Sequence, residues 1–132
     1  MSLTEFQPTY IAVRKQDDFA VVTFTVAYLD DEENIQQLGN ELFTLVEQFG
    51  FRKLIISMAD VEFFTSSVLG KLISLHRKLH RRQGKLAICD LRDPVPSVMR
   101  TSKLMEYFTI TENIDEAIET LKQTHSSANS DA

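Results

Sequence analysis

Phe63-Phe64-Thr65-Ser66-Ser67-Val68-Leu69-Gly70-Lys71-Leu72 is the stretch on which the reading of this chain turns. An apolar pair is followed by three small hydroxyl residues, and an amphipathic pattern begins at once. The sequence predicts a strand, a short loop and the start of a helix. Ser and Thr at such a start accept hydrogen bonds from the free N–H groups of the first turn. The same N–H groups and the helix dipole attract negative charge, so the spot suits a phosphate. Two readings stand side by side: a capping cluster, or a serine placed to be phosphorylated.

Outward from this stretch the pattern is regular. Downstream, Val68, Leu72, Leu75 and Leu79 form one apolar stripe, widened by Leu69 and Ile73. Lys71, Arg77, Lys78, Arg81 and Arg82 are expected to face away, and Gly84 to end the helix. Upstream, Leu54-Ile55-Ile56 is a wholly apolar strand, as expected where helices cover both faces of a sheet. Leu86-Ala87-Ile88-Cys89 is a second such strand. Asp93-Pro94 opens a short helix carrying Val95, Val98 and Met99 and ending near Leu104, since Asp caps and Pro suits the first helical position. Tyr107-Phe108-Thr109-Ile110 reads as a strand. Asn113 with Glu116 reads as the capping box of a last helix with Ala117, Ile118 and Leu121 inward.

Nearer the start, Tyr10-Ile11-Ala12-Val13 and Phe19 to Val26 read as two strands of a hairpin around a Gln16-Asp17-Asp18 turn. Asp30-Asp31-Glu32-Glu33 precedes Ile35, Leu38, Leu42, Leu45, Val46 and Phe49, which lie at helical spacing, with Gly50 as a stop. An acidic run in a first turn complements the helix dipole, and a solvated helix start explains it better than a cation site. The order is β-β-α-β-α-β-α-β-α. It predicts a single α/β domain with a mixed, mostly parallel sheet and packed helices. The domain is expected over residues 9–122, with a flexible N-terminus at 1–8 and a disordered tail at 123–132 that is polar and rich in Ser.

Composition bounds the function. The chain has 132 residues, 43% hydrophobic and 25% charged, enough for one core. Fourteen Lys and Arg against 19 Asp and Glu give a net charge of −5. An acidic chain has no general attraction for phosphate backbones or anionic lipid, so nucleic acid is not an expected partner. The longest apolar-leaning run, Phe19 to Leu29, is too short for a bilayer, and the first residues lack the pattern of a signal peptide; no direct membrane insertion is expected. Cys89 is the only cysteine, which excludes an internal disulfide and fits a cytoplasmic setting. No Ser-His-Asp set stands at motif spacing, and a chain with 4 glycines has little means of building a phosphate loop, so an enzyme is not expected. No cofactor or metal is expected. His76 and His80, four apart in His-Arg-Lys-Leu-His, lack the metalloprotease glutamate and have cationic neighbours, and read as a surface pair. With Lys85, the basic side chains of the same helix read as a solvated face, or secondarily as a contact for an acidic partner.

In its ordered pieces the chain resembles the STAS domain, the fold of bacterial anti-sigma factor antagonists. The matching pieces are Leu54-Ile55-Ile56, Val61-Glu62-Phe63-Phe64, Ser66-Ser67 with Leu69-Gly70, Gly84-Lys85-Leu86, and Leu104 to Phe108 with Glu116-Ala117-Ile118. They cover about half of the chain, from Leu54 to Leu121. The resemblance implies a protein-binding switch. Its partner would be an anti-sigma factor that is also a serine kinase of the histidine-kinase-like ATPase type, with a serine phosphatase as a further partner. Carried over by position, Ser66 is the phosphoacceptor, with Thr65 as a second candidate, and Thr65, Ser66, Ser67, Val68 and Lys71 form the partner-binding set. Three positions depart from the family pattern: Thr65 and Ser57 stand where Asp is usual, and Val68 where Gly is usual. The alternatives are a phosphorylation-independent STAS adaptor in a signalling assembly, or an accessory subunit of a transport system.

Overall fold

The computed structural model of the protein describes residues 5–91 and 108–131, the stretch from residue 123 by backbone alone. The helix expected between Asp93 and Leu104 lies outside the described residues, as do Met1 to Thr4 and Tyr107.

The two wholly apolar runs become the centre of the sheet. Strands β1 (Ile11–Gln16), β2 (Phe19–Phe24), β4 (Lys53–Ser57), β6 (Lys85–Cys89) and β7 (Thr109–Thr111) lie in the order β1-β2-β4-β6-β7. β1 pairs antiparallel with β2 through a tight turn in which Asp17 takes a φ of 56°, a conformation Asp tolerates. The other pairings are parallel. Because successive side chains alternate, β4 sends Leu54 and Ile56 into one core and Ile55 into another. β6 does the same with Leu86 and Ile88 against Ala87 and Cys89. The larger core is roofed by helices α1 (Glu32–Glu47) and α2 (Ser66–Arg81), the smaller by α3 (Ile114–Asp131) through Ala117, Ile118 and Leu121. The domain is therefore α/β with a mixed, mostly parallel sheet covered on both faces, as the apolar runs require.

The strand expected at Phe63-Phe64 is present as β5 (Phe63–Phe64), but its partner β3 (Tyr28–Leu29) escaped the sequence pattern; the two form a separate two-stranded parallel ribbon. The second strand of the hairpin stops at Phe24, short of the expected Val26. The backbone of α3 runs on to Asp131, and among the described side chains Ala117, Ile118 and Leu121 face the core.

Candidate functional site

The ribbon delivers the chain to α2. β5 ends at Phe64, Thr65 takes the N-cap position with extended backbone, and Ser66 is the first helical residue. Thr65 N–H donates to the Leu29 carbonyl at 3.2 Å, and Glu62 N–H to that of Ala27 at 2.8 Å. The start of the helix is thus pinned to the ribbon on both sides of Phe63–Phe64.

Capping, one of the two readings of the three hydroxyls, finds no side-chain bond at the N-cap. Thr65 makes no side-chain cap bond, and its Oγ1 is buried without a hydrogen-bond partner. Ser67 instead donates from Oγ to Glu32 Oε2 of α1 at 3.0 Å. Ser66 is exposed. The first turn of α2 holds no acidic residue, and its last turn carries Lys78, His80 and Arg81. The N-terminal N–H groups and the positive end of the dipole are therefore presented beside Ser66 without a charge of the helix's own to meet them.

The five residues of the expected partner-binding set separate in space. Val68 is fully buried in the larger core, so its side chain leaves that set. A residue where the family pattern has Gly is accommodated inward and does not alter the surface. Lys71 does not face away as the periodicity implied: it is half-buried, donates to Gln36 Oε1 at 2.6 Å, and its stem lies over Gly39. A Cβ at Gly39 would come within 2.7 Å of Lys71 Cδ, so the glycine makes room for that stem between α1 and α2. Lys78 is likewise drawn in, over the Phe43 ring at 5.0 Å and 3.6 Å from Glu47.

The missing carboxylate at Ser57 has a substitute. Ser57 Oγ donates to Asp90 Oδ2 at 2.7 Å and accepts from Ala59 N–H at 3.3 Å. Asp90, held at φ 59°, thus places an acid at the same carboxyl edge of the sheet. Cys89 is buried next to it, and burial together with the Asp90 carboxylate pushes its thiol up to about 12. It is protonated and unreactive at neutral pH.

His76 is not a plain surface residue. It is half-buried, edge-on to Phe108 with ring centres 6.0 Å apart, and stacked on His80 at 6.2 Å. Burial, then His80 and Lys85, hold its imidazole below the usual range. Among the described residues no group of three or more His, Cys, Asp or Glu side chains is placed to hold a metal ion. None of the described helices is long and apolar enough to cross a membrane.

Sequence reasoning missed Glu41. This buried carboxylate of α1 accepts the backbone N–H groups of Thr9 and Tyr10, each at 2.8 Å, and Gln37 Nε2 at 3.1 Å. It ties the approach to β1 onto the helix layer. The only signal was an acid within the apolar face of α1.

Known proteins share this architecture. The family model for the STAS domain matches residues 10–117. An anti-sigma F factor antagonist of Paenibacillus polymyxa is 27% identical over 60 residues, 46% of this chain and 51% of that protein. The chain thus spans about half the length of that relative. An anti-sigma-factor antagonist (STAS) domain protein from Planctomyces limnophilus superposes with a TM-score of 0.76 at 21% identity, over 85% of this chain and 97% of that one. The Bacillus cell fate determinant SpoIIAA in its phosphorylated form gives 0.64 at 18% identity, over 83% and 97%. At such identities the structural likeness speaks for the fold.

Proposed function

This chain belongs to the STAS domain family, and from that premise we propose that it is an anti-sigma factor antagonist-like regulator switched by phosphorylation of Ser66. The family is regulatory rather than enzymatic, and its curated relatives are anti-sigma factor antagonists. One observation carries the choice of residue: Ser66 is exposed at a helix start with no side-chain cap bond and no acid in its first turn. The hydroxyl of Thr65, the other candidate, is buried. That of Ser67 is held by Glu32.

The partner in this reading is an anti-sigma factor that is also a serine kinase of the histidine-kinase-like ATPase type, with a serine phosphatase to reset the switch. Phosphorylation adds about −1.5 to −2 charges. At an exposed helix N-terminus such charge is stabilising by ~0.3–1 kcal/mol, so the fold survives the modification. A docked partner fares differently. A charge left mispaired in an interface costs ~2–5 kcal/mol, or ~30- to several thousand-fold in affinity. The modification therefore releases the partner without refolding the antagonist.

The test is direct. The purified chain is incubated with serine-kinase-type ATPases of its own genome and Mg-ATP, and any phosphate is mapped by mass spectrometry. A single phosphate on Ser66, absent from Ser66→Ala, is expected. Modification confined to Thr65 or Ser67 moves the site, and a kinase that binds tightly yet leaves no phosphate overturns the switch.

A further inference from the structure

Among the described residues the two large hydrophobic side chains left exposed are Tyr28, at 61%, and Phe63, at 44%. They are not scattered. They are register partners in the β3–β5 ribbon, so both leave it on one face, while their neighbours Leu29 and Phe64 are buried on the other. Phe63 stands three residues before Ser66. Single exposed apolar residues need no explanation, but a paired aromatic patch marks a contact surface. Aromatic side chains are enriched among the residues that dominate binding.

The surroundings say what would cover it. Asp30 lies just past β3, Asp60 and Glu62 just before β5, and all three are exposed. A surface that buries Tyr28 and Phe63 must also face this acidic rim, and basic side chains are what it needs there. We propose that Tyr28 and Phe63 are the anchor by which the partner docks beside Ser66, into an apolar pocket of the partner rimmed by Lys and Arg. This rests on the regulatory reading above and names its contact. The basic rim meets Asp60 and Glu62. Opposite Ser66 a kinase partner holds nucleotide phosphates, which repel the phosphorylated product.

The experiment measures calorimetric binding of the full chain to each purified serine-kinase-type ATPase of its genome, with Ser66 phosphorylation followed in parallel. Tyr28→Ser combined with Phe63→Ser is expected to weaken binding about 100-fold or more with an unchanged circular dichroism spectrum. Tyr28→Ser alone, at the more exposed position, serves if the pair does not fold, with about a 10-fold loss expected. Phosphorylation of Ser66 should persist at high kinase concentration, with a raised KM and little change in kcat. Glu62→Lys should weaken binding several-fold and flatten its salt dependence. Wild-type affinity in the Tyr28 and Phe63 variants, with Ser66 still phosphorylated, overturns the anchor and leaves the switch. Binding that depends on the aromatic pair without any phosphate on Ser66 supports the anchor and overturns the switch. Failure of every ATPase to bind the wild type overturns both. A concentration-dependent dimer abolished by Tyr28→Ser assigns the patch to a second copy of this chain and overturns the proposed partner.

Discussion

Helices α1 and α2 roof the same core, yet they begin in opposite ways. At the start of α1, Asp31 accepts from the N–H groups of Glu33 and Asn34 at 3.0 and 3.2 Å, and Glu32 and Glu33 fill the first turn. α3 repeats the arrangement, with Asn113 accepting from Glu116 N–H at 2.8 Å and Asp115 and Glu116 behind it. α2 has neither the bond nor the acids. A carboxylate does reach its first turn, but it is that of Glu32, borrowed from α1 and held by the second serine. The contrast separates helix starts that the chain completes itself from one that is left for an outside group. In the proposed switch, it would let Ser66 receive charge without disturbing the fold. The structural carboxylates of this layer sit on α1, and α2 contributes cations and apolar side chains.

If α1 is the structural member of the pair, damage to it should be large and damage to α2's start small. The largest effect is expected from Glu41→Ala. It takes the acceptor from the N–H groups of Thr9 and Tyr10 at a part-buried site, and losing bonds to a charged acceptor there costs about 2 kcal/mol. Denaturant unfolding reads this directly, and a loss under about 1 kcal/mol would show that the segment before β1 is held by other means. Asp31→Ala comes next. Removing an N-cap that makes two bonds costs about 1 kcal/mol, or about 4 °C in Tm. Ser66→Ala, one residue past the N-cap of α2, should stay within about 0.5 kcal/mol of wild type. Equal losses at the two positions would erase the distinction.

Much of the architecture was legible because burial on both faces leaves a strong mark. Leu54-Ile55-Ile56 and Leu86-Ala87-Ile88-Cys89 can only be central strands, and the stripes of α1 and α2 follow from their period. Gly50 was legible too: it takes φ 72° past the end of α1. Gly84 marks the end of α2 for a different reason. Gln83 supplies the left-handed residue there, at φ 62°, and a Cβ on Gly84 would come within 2.4 Å of the Arg52 carbonyl oxygen. What a sequence cannot carry is a partner distant in the chain. Glu41 with Thr9, Lys71 with Gln36 and Ser57 with Asp90 are long-range pairs of polar groups, and no period announces them. β3 and its pairing with β5 fail for the related reason that two residues define no alternation. At the site, the apolar stripe already turned Val68 inward, whereas the burial of the Thr65 hydroxyl required the fold.

The smallest effect is the most informative about the switch. Phosphate on Ser66 gains from the dipole of α2 by ~0.3–1 kcal/mol. It also meets Glu32, whose carboxylate lies 3.0 Å from the neighbouring Ser67 Oγ, and that repulsion opposes the gain. The two terms are of similar size at an exposed site, so phosphorylated and unphosphorylated protein should differ by less than about 0.5 kcal/mol. Glu32→Gln keeps a side chain able to accept from Ser67 and removes the opposing charge. In that background phosphorylation should raise stability by ~0.3–1 kcal/mol, seen as a Tm increase of a few degrees that fades with added salt. If phosphorylation destabilises the Glu32→Gln protein, the N-terminus of α2 does not receive the phosphate, and the asymmetry between the two helix starts is a matter of capping alone.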